Sequence, residues 1–224
     1  MRRLLIDIGR FALNCADMEP LVATFSIAAR DPETGALGVA VASKFLAVGA
    51  YVPYVKAGVG AVATQARTNL SYGPDVLELL ANAQEPAAAS AAVRSADEHV
   101  SVRQLGIVAA DGSSHSFTGS DCTAWAGGIA APGLAAQGNI LAGEHVLDAL
   151  VTVWHSQAGL PFPERLLAAL AAAEQAGGDS RGRQAAALLA EPVNGRRLDL
   201  RIDDHSEPVD ELKRLLTHWR SAFD

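Results

Sequence analysis

Short apolar runs separated by turn residues mark the first part of the chain. Residues 25–29 and 37–42 are apolar and partly β-branched, which predicts two strands. Between them, residues 31–35 combine a proline that is preset for a turn with a glycine that is free to adopt positive φ. The pattern therefore predicts a hairpin that starts at Thr24 and ends at Ser43 and Lys44, which brings these three residues to one end of a sheet.

The same reading extends to the rest of the chain. Strands are predicted at residues 59–64, 102–110, 114–118, 184–190 and 198–202, and within the uncharged, glycine-rich residues 124–141. Helices are predicted from residue 75 and at residues 84–98, 144–157, 162–176 and 208–223. Because the helices come in pairs between runs of strands, this order does not fit a parallel βαβ sheet. It predicts an α+β fold, a four-layer αββα sandwich, with residues 24–224 as a single domain.

The first 23 residues depart from this pattern. A basic start, Met1-Arg2-Arg3, is followed by an apolar run that begins like a signal peptide, but Asp7 and Arg10 interrupt that run. No stretch of the sequence reaches the roughly 18 uninterrupted apolar residues that span a membrane. We interpret residues 1–23 as an N-terminal extension, either removed or the product of a start placed too early. The expected location is the cytoplasm, with no membrane partner.

Composition excludes several classes of partner. The chain has 224 residues, is half hydrophobic and carries a net charge of −7, with no basic run that would indicate nucleic-acid binding. Its two cysteines and six histidines are scattered without the spacing of a metal site, so no metal is predicted. Composition therefore predicts an ordinary globular protein that binds no nucleic acid.

Several motifs together resemble one bacterial family, DUF1028, which is grouped with the N-terminal-nucleophile (Ntn) hydrolases. The resemblance extends over about residues 22–217, and its motifs are Thr24-Phe-Ser-Ile, Gly38-Val-Ala-Val-Ala-Ser-Lys44, Gly58-Val-Gly-Ala-Val-Ala-Thr-Gln65, Gln137-Gly-Asn-Ile-Leu-Ala-Gly143, Gly178-Asp-Ser-Arg-Gly-Arg-Gln184 and Leu200-Arg-Ile-Asp-Asp-His205. The resemblance implies the αββα fold and a mechanism, but it does not supply a substrate.

The implied mechanism gives Thr24 the role of nucleophile. In Ntn hydrolases the hydroxyl of an N-terminal residue attacks an amide carbonyl, and its own α-amine acts as the base. An α-amine with a pKa of roughly 7.7–8 suits that role near neutral pH. Thr24 can act in this way only when the preceding residues are absent, because an amide nitrogen cannot take up the proton. Since nucleophile and base belong to one residue, no cofactor is expected.

A lysine near Thr24 would lower the pKa of the amine and stabilise an oxyanion. The chain has three lysines, and two of them, Lys44 and Lys56, lie in this early region. We favour Lys44 because it belongs to the Ser43-Lys44 motif at the predicted strand end. Lys56 is the alternative, since proteasome-type members of the superfamily have a lysine at a similar spacing. A solvent-facing lysine is the simpler interpretation of either residue.

Further candidates lie in two other segments. Asn139 could offer its side-chain amide to an oxyanion, with the Gly138 N–H as a second donor, although a turn asparagine between strands is an equal alternative. Ser43, Gln65 and Asn69 are candidate substrate-binding residues, the last two because they are expected in a polar loop. An Asp179–Arg181 pair is interpreted as a structural brace.

The sequence thus predicts a hydrolase of an amide or related acyl bond, whose substrate is a small molecule or a peptide-like amide. The alternative is a non-catalytic binding or assembly protein that keeps the fold, which an intact segment over Thr24 would favour. A third possibility is catalysis by Cys122, although no histidine is evidently paired with it. The apolar composition and the resemblance are consistent with a homo-oligomer of unspecified symmetry.

Overall fold

The computed structural model describes residues 21–22 and 24–223, in which eleven strands and five α-helices form a mixed α/β fold. The strands are β1 (Leu21–Val22), β2 (Thr24–Arg30), β3 (Leu37–Ser43), β4 (Pro53–Lys56), β5 (Gly60–Arg67), β6 (Arg103–Ala109), β7 (Ser114–Thr118), β8 (Gly127–Ala131), β9 (Leu134–Gly138), β10 (Ala185–Glu191) and β11 (Leu198–Ile202). The helices are α1 (Tyr72–Ala81), α2 (Pro86–Arg94), α3 (His145–Ser156), α4 (Phe162–Gln175) and α5 (Pro208–Phe223).

Each strand and helix predicted between residues 25 and 223 is present, with some shifts in bounds and one additional strand. Strand β5 continues to Arg67, so Gln65 lies in a strand and not in the predicted loop. Helix α2 ends at Arg94, four residues before the predicted end at residue 98. Strand β4, with only four residues that include Pro53 and Lys56, was not predicted because its pattern is too short to stand out.

All strand pairings are antiparallel and form two sheets. The five-stranded sheet has the order β1-β5-β6-β7, and β4 pairs with β5 along the edge that β1 also uses. The six-stranded sheet has the order β11-β10-β3-β2-β9-β8. Strand β2 is central in the second sheet, with β3 on one side and β9 on the other. Both edges of β2 are therefore covered by neighbouring strands.

Three hydrophobic clusters of buried side chains hold these elements together. The first cluster lies between the six-stranded sheet and helices α3, α4 and α5, and it contains Phe25 and Leu170. The second lies between the two sheets and contains Val41 and Val55. The third joins the five-stranded sheet to α1 and α2, with Leu105 among its members. Both faces of the central strands are consequently buried, which explains their apolar, nearly uncharged composition.

The two faces of β2 have different neighbours. Phe25 and Ile27 belong to the cluster beneath the helices, whereas Ala28 belongs to the cluster between the sheets. Since side chains alternate along a strand, Thr24 and Ser26 share the face of Ala28 and point towards the five-stranded sheet. The candidate nucleophile therefore lies in the space between the sheets.

Glycine allows the sheets to approach each other closely near this face. A Cβ atom on Gly106 of β6 would lie 1.9 Å from Oε1 of Gln137, so any side chain there would displace that amide.

None of the helices in the described part of the chain combines the length and the apolar character needed to cross a bilayer.

Candidate functional site

Thr24 begins β2 and is fully buried. In the six-stranded sheet its partner on β3 is Ser43, the last residue of that strand. On the other side, the Thr24 N–H donates to the carbonyl of Asn139 at 3.3 Å, and the Asn139 N–H donates back to the Thr24 carbonyl at 3.0 Å. Because both backbone bonds are exchanged, the two side chains project from the same face, with Cβ atoms roughly 5 Å apart. Ser43 and Asn139 are thus the neighbours of Thr24 on its two sides.

The hydroxyl of Thr24 has no hydrogen-bond partner among the described residues, although it is buried. The same holds for Oδ1 of Asn139 on the neighbouring strand. Buried polar atoms are nearly always hydrogen-bonded in folded proteins, so unpartnered oxygens on adjacent strands are unusual. A group that donates hydrogen bonds would satisfy both oxygens.

A chain of buried amides lies beneath Thr24. Nε2 of Gln65 donates to Oε1 of Gln104 at 2.7 Å and to the Thr24 carbonyl at 3.3 Å. Nδ2 of Asn139 donates to the same Gln104 oxygen at 3.0 Å. Gln65, Gln104 and Asn139 are all fully buried, so each bond forms away from water. Gln65, predicted as a loop residue, therefore reaches the neighbourhood of Thr24 from within a strand.

Gln104 sets the orientation of its neighbours. Its Nε2 lies 2.8 Å from the Gly138 carbonyl, 3.1 Å from the Gly127 carbonyl and 2.9 Å from Oγ1 of Thr118. Two of these partners are carbonyls, which only accept, so the amide nitrogen of Gln104 is assigned to this end. Its oxygen must then face Gln65 and Asn139, which both donate to it. One N–H of Asn139 is thereby engaged, and the other is left for a further acceptor.

Ser26 extends this network one step deeper. Its hydroxyl donates to Oε1 of Gln65 at 2.6 Å and accepts from Nε2 of Gln137 at 2.6 Å. Every member of the network is a neutral amide or hydroxyl. In the described residues, therefore, no carboxylate or ammonium group takes part in hydrogen bonding with Thr24.

Two residues beside the network have left-handed backbone conformations. Ala66, which follows Gln65, has φ of 67°, and Ile140, which follows Asn139, has φ of 53°. Such a conformation is unfavourable for any residue with a Cβ, and most of all for a β-branched one. Strained residues of this kind concentrate at functional sites, which agrees with the position of the buried network.

Lys44 lies next to Ser43 in sequence, but its side chain is exposed. Its Nζ donates to the carbonyl of Arg183 at 3.1 Å, and its backbone N–H donates to Oδ2 of Asp179 at 2.9 Å. The buried Asp179 also pairs with Arg181 at 2.8 Å. Asp179 therefore ties the end of β3 to the loop before β10, as a brace would. The action of Lys44 on Thr24 stays a prediction from the sequence.

Lys56 lies at the far end of its sheet. It pairs with Gly60 at the start of β5, whereas Gln65 contacts Thr24 five residues further along that strand. At about 3.3 Å per residue this separation is roughly 16 Å. Lys56 is also exposed. By register, Lys44 is thus the nearer of the two lysines to Thr24.

Gly138 lies in the six-stranded sheet next to Asn139, whereas Asn69 contacts Asp97. Gly138 pairs with Phe25 and Gly127 within the six-stranded sheet, next to Asn139. A Cβ atom on Gly138 would lie 2.4 Å from Cδ1 of Leu141, so any side chain there would require Leu141 to move. Asn69 contacts a different group, with Nδ2 donating to Oδ2 of Asp97 at 3.4 Å.

Asp97 organises a separate buried cluster. Its carboxylate accepts hydrogen bonds from Nε of Arg103 at 2.8 Å and from the Tyr72 hydroxyl at 2.7 Å, as well as from the His99 N–H at 2.8 Å. Burial disfavours the charged carboxylate, but these bonds outweigh burial and hold the pKa of Asp97 well below its usual range. Burial and the bond to Asp97 together raise the pKa of Tyr72. Arg103 also donates to the Arg67 carbonyl at 2.8 Å, so the cluster anchors the end of β5.

We expect Asp97→Asn to lower the free energy of unfolding at pH 7 by about 2 kcal/mol, because hydrogen bonds to a charged group are lost. A pKa that is lowered by folding stabilises the protein above the unfolded-state pKa of about 4, and that contribution is lost as the pH falls towards the folded-state pKa. Urea unfolding at pH 7 and pH 3 should therefore show a smaller difference between wild type and variant at pH 3. The exposed neighbour Glu98, changed to alanine, is the control, and a difference that does not depend on pH would contradict this account.

Gln104, Ser26 and Gln137 were not predicted as site residues, although Gln137 belongs to the quoted Gln137-Gly138-Asn139 motif. Polar residues at inward positions of apolar strands could have indicated them.

Cys122 is half-buried, with Sγ 3.3 Å from the Arg103 carbonyl. Burial raises the pKa of its thiol, which makes it a poor nucleophile at neutral pH. Within the described residues no cluster of histidine, cysteine or carboxylate side chains could hold a metal ion.

The geometry provides a buried hydroxyl with amide donors and acceptors around it, but no base. Thr24 follows Ala23 in the sequence, so its nitrogen is an amide in the intact chain. A threonine hydroxyl is a weak nucleophile unless a base accepts its proton. The Thr24 hydroxyl can therefore act as a nucleophile only if a group beside it becomes able to accept its proton.

Comparisons with known proteins agree on one family. The family of unknown function DUF1028 matches residues 24–212. A crystal structure of a DUF1028 protein from Silicibacter pomeroyi is 36% identical, with a TM-score of 0.82 over 88% of each chain.

A second solved structure, the Anbu (ancestral beta-subunit) protein from Yersinia bercovieri, is 12% identical and has a TM-score of 0.41. The match covers 89% of this chain and 96% of that one. That likeness is too weak to carry an argument. No curated protein matches the sequence.

Proposed function

The chain belongs to the family DUF1028, and we propose that it is the precursor of an Ntn-type hydrolase that cleaves an amide or related acyl bond. Thr24 is the nucleophile, and its α-amine becomes the base once residues 1–23 are removed. The single observation that carries the proposal is the buried, unpartnered Thr24 hydroxyl at the start of a central strand, beside Asn139.

The proposal includes a four-layer αββα sandwich. Its support is the set of three hydrophobic clusters, one between the two sheets and one between each sheet and its own helices. In such an arrangement the start of β2 opens towards the gap between the sheets. Thr24 and Ser26 share the face of β2 that lines this gap.

In the proposed reaction the α-amine takes the proton of the Thr24 hydroxyl as Oγ1 bonds to the substrate carbonyl carbon. The amide C–N bond then breaks, and the ammonium returns the proton to the leaving nitrogen. Water hydrolyses the resulting ester and regenerates Thr24. The second N–H of the Asn139 side chain is the proposed oxyanion donor, and no metal or organic cofactor is required.

The proposal gives Lys44 the role of tuning the amine. In the intact chain the Lys44 ammonium is held by the Arg183 carbonyl, so it would have to leave that partner to approach Thr24. Ser43 and Gln65 are the proposed substrate contacts nearest to Thr24, whereas Asn69 would contact only an extended substrate. A cytoplasmic location and self-association remain predictions from the sequence.

The first test is to determine where the mature chain begins. The full chain, expressed without an N-terminal tag, is analysed by intact mass and amino-terminal sequencing. We expect a chain that begins at Thr24 and therefore carries a free α-amine. A chain that keeps residues before Thr24 would contradict the proposal, because its Thr24 nitrogen could not accept a proton.

A second candidate function is that of a non-catalytic binding or assembly protein. Two observations favour it: the pairing of Leu21 and Val22 with Arg67 and Ala66 on β5, and the complete burial of Thr24. A segment built into the sheet ahead of Thr24 would keep the hydroxyl inaccessible. Retention of residues 1–23 would support this alternative.

A further inference from the structure

A cavity of about 730 Å³ lies at the end of the six-stranded sheet opposite to Thr24. Its walls come from the turn after β2, the loop between α3 and α4, the loop between β10 and β11, and the last turns of α5. Along β2, Thr24 and Arg30 are six residues apart, or roughly 20 Å. Ligand-binding cavities in proteins typically measure about 300–1,000 Å³. The cavity therefore has the size of a ligand site but is separate from the candidate catalytic site.

Apolar side chains form part of the lining and the rim of this cavity, beside polar ones. Phe162 and Leu198 are buried in its wall, and Trp219 lies at its side half-buried. Leu160 and Val193 also line it and are 39% and 53% exposed. Exposed apolar side chains that cluster at a cavity mark a surface suited to an apolar ligand.

Arg196 supplies an available positive charge at the same place. Its guanidinium lies 4.3 Å from the ring centroid of Phe223, which in turn packs on Trp219. The neighbouring arginines are occupied, since Arg197 pairs with Glu191 and Asp199, and Arg220 pairs with Glu164. In the described residues no carboxylate pairs with Arg196. A guanidinium that rests on an aromatic ring is held in place and can still bind a carboxylate.

Two acids, Asp31 and Glu33, lie on the turn after β2, which also lines the cavity. Asp31 accepts hydrogen bonds from the Thr34 hydroxyl at 2.5 Å and from the Glu33 N–H at 3.3 Å, so its carboxylate is used by the turn. The Glu33 side chain is exposed at the outer end of that turn. The positive charge of Arg196 thus lies beside the aromatic rings, and the exposed negative charge of Glu33 lies on the turn after β2.

We propose that this cavity binds a small amphipathic carboxylate. Its apolar body contacts Trp219, Leu160 and Val193, and its carboxylate pairs with Arg196. The site goes beyond the proposed hydrolase, because it shares no residue with the Thr24 network. A ligand bound here leaves the space between the sheets free.

Binding of decanoate to the full chain, measured by isothermal titration calorimetry, tests the proposal. We expect saturable binding, and we expect Arg196→Ala to weaken it about fivefold, the effect of one partly exposed ion pair. Arg197→Ala is the matched control, since it removes the adjacent arginine that already has carboxylate partners, and its affinity should stay within twofold. Leu160→Ser tests the apolar contact and should also weaken binding.

Three results would overturn the proposal: no binding of decanoate, equal affinity in wild type and Arg196→Ala, or tighter binding of decylamine than of decanoate. The last result would assign the site to the carboxylates of Asp31 and Glu33. Arg196 and Leu160 are surface residues, so these variants should fold. The measurement does not depend on removal of residues 1–23, so its failure and the failure of the proposed hydrolase are separate outcomes.

Discussion

Substituting Thr24 by alanine is expected to abolish covalent labelling of the processed chain by a β-lactone. In the chain that begins at Thr24, the hydroxyl opens the lactone ring and forms an ester, which adds the mass of the probe. Loss of a nucleophile typically lowers such a rate by at least about a thousandfold, because the group that forms the covalent bond is removed. Intact mass followed by peptide mapping measures both the extent and the position of labelling.

Three comparisons make this result specific to Thr24. Thr24→Ser retains a hydroxyl and should keep measurable labelling. Thr64→Ala removes another buried threonine, whose hydroxyl is bonded to the Asn69 carbonyl, and should be labelled like the unsubstituted chain. The full chain with residues 1–23 attached should not react, since its Thr24 has no amine and is completely buried. Equal labelling of Thr24→Ala, or labelling at Cys122, would exclude Thr24 as the nucleophile.

The sequence predicted the elements of the fold well because their signals are local. Apolar runs, turn residues and helical stripes each extend over a few neighbouring residues, and nearly all of them were found. The short strand β4 is the exception, since proline and lysine in four residues obscure its pattern. The hairpin that joins Thr24 to Ser43 was also local, and its register confirmed that these two residues lie side by side.

The surroundings of Thr24 could be predicted only in part, because they depend on how two sheets stack. Thr24 meets Asn139 through a pairing of β2 with a strand more than a hundred residues away. Gln65 and Gln104 reach Thr24 from the other sheet, and no sequence period encodes that contact. The distance from Lys56 to Thr24 likewise depends on the register of β4 on β5, which places Lys56 at the end of β5 away from Gln65.

Among the residues around Thr24, we expect substitution of Gln104 to destabilise the protein most. We expect Gln104→Met to lower the free energy of unfolding by about 4 kcal/mol, although methionine has a similar volume. Each buried polar group that loses its partner costs about 1–3 kcal/mol. The substitution would take a partner from Asn139 and Gln65 and from the carbonyl of Gly138. For a domain of this size the loss corresponds to a fall in melting temperature of roughly 10 °C.

Thermal and urea unfolding of the full chain measure this loss directly. Gln84→Met is the matched control: the same chemical change at an exposed glutamine should alter stability by no more than about 0.5 kcal/mol. If Gln104→Met lost less than about 1 kcal/mol, the amides around Thr24 could not be one connected network. A loss of the expected size in the free energy of unfolding would show that the amide network around Asn139 also contributes strongly to holding the two sheets together. Substitutions that alter the site would then have to be separated from substitutions that unfold it.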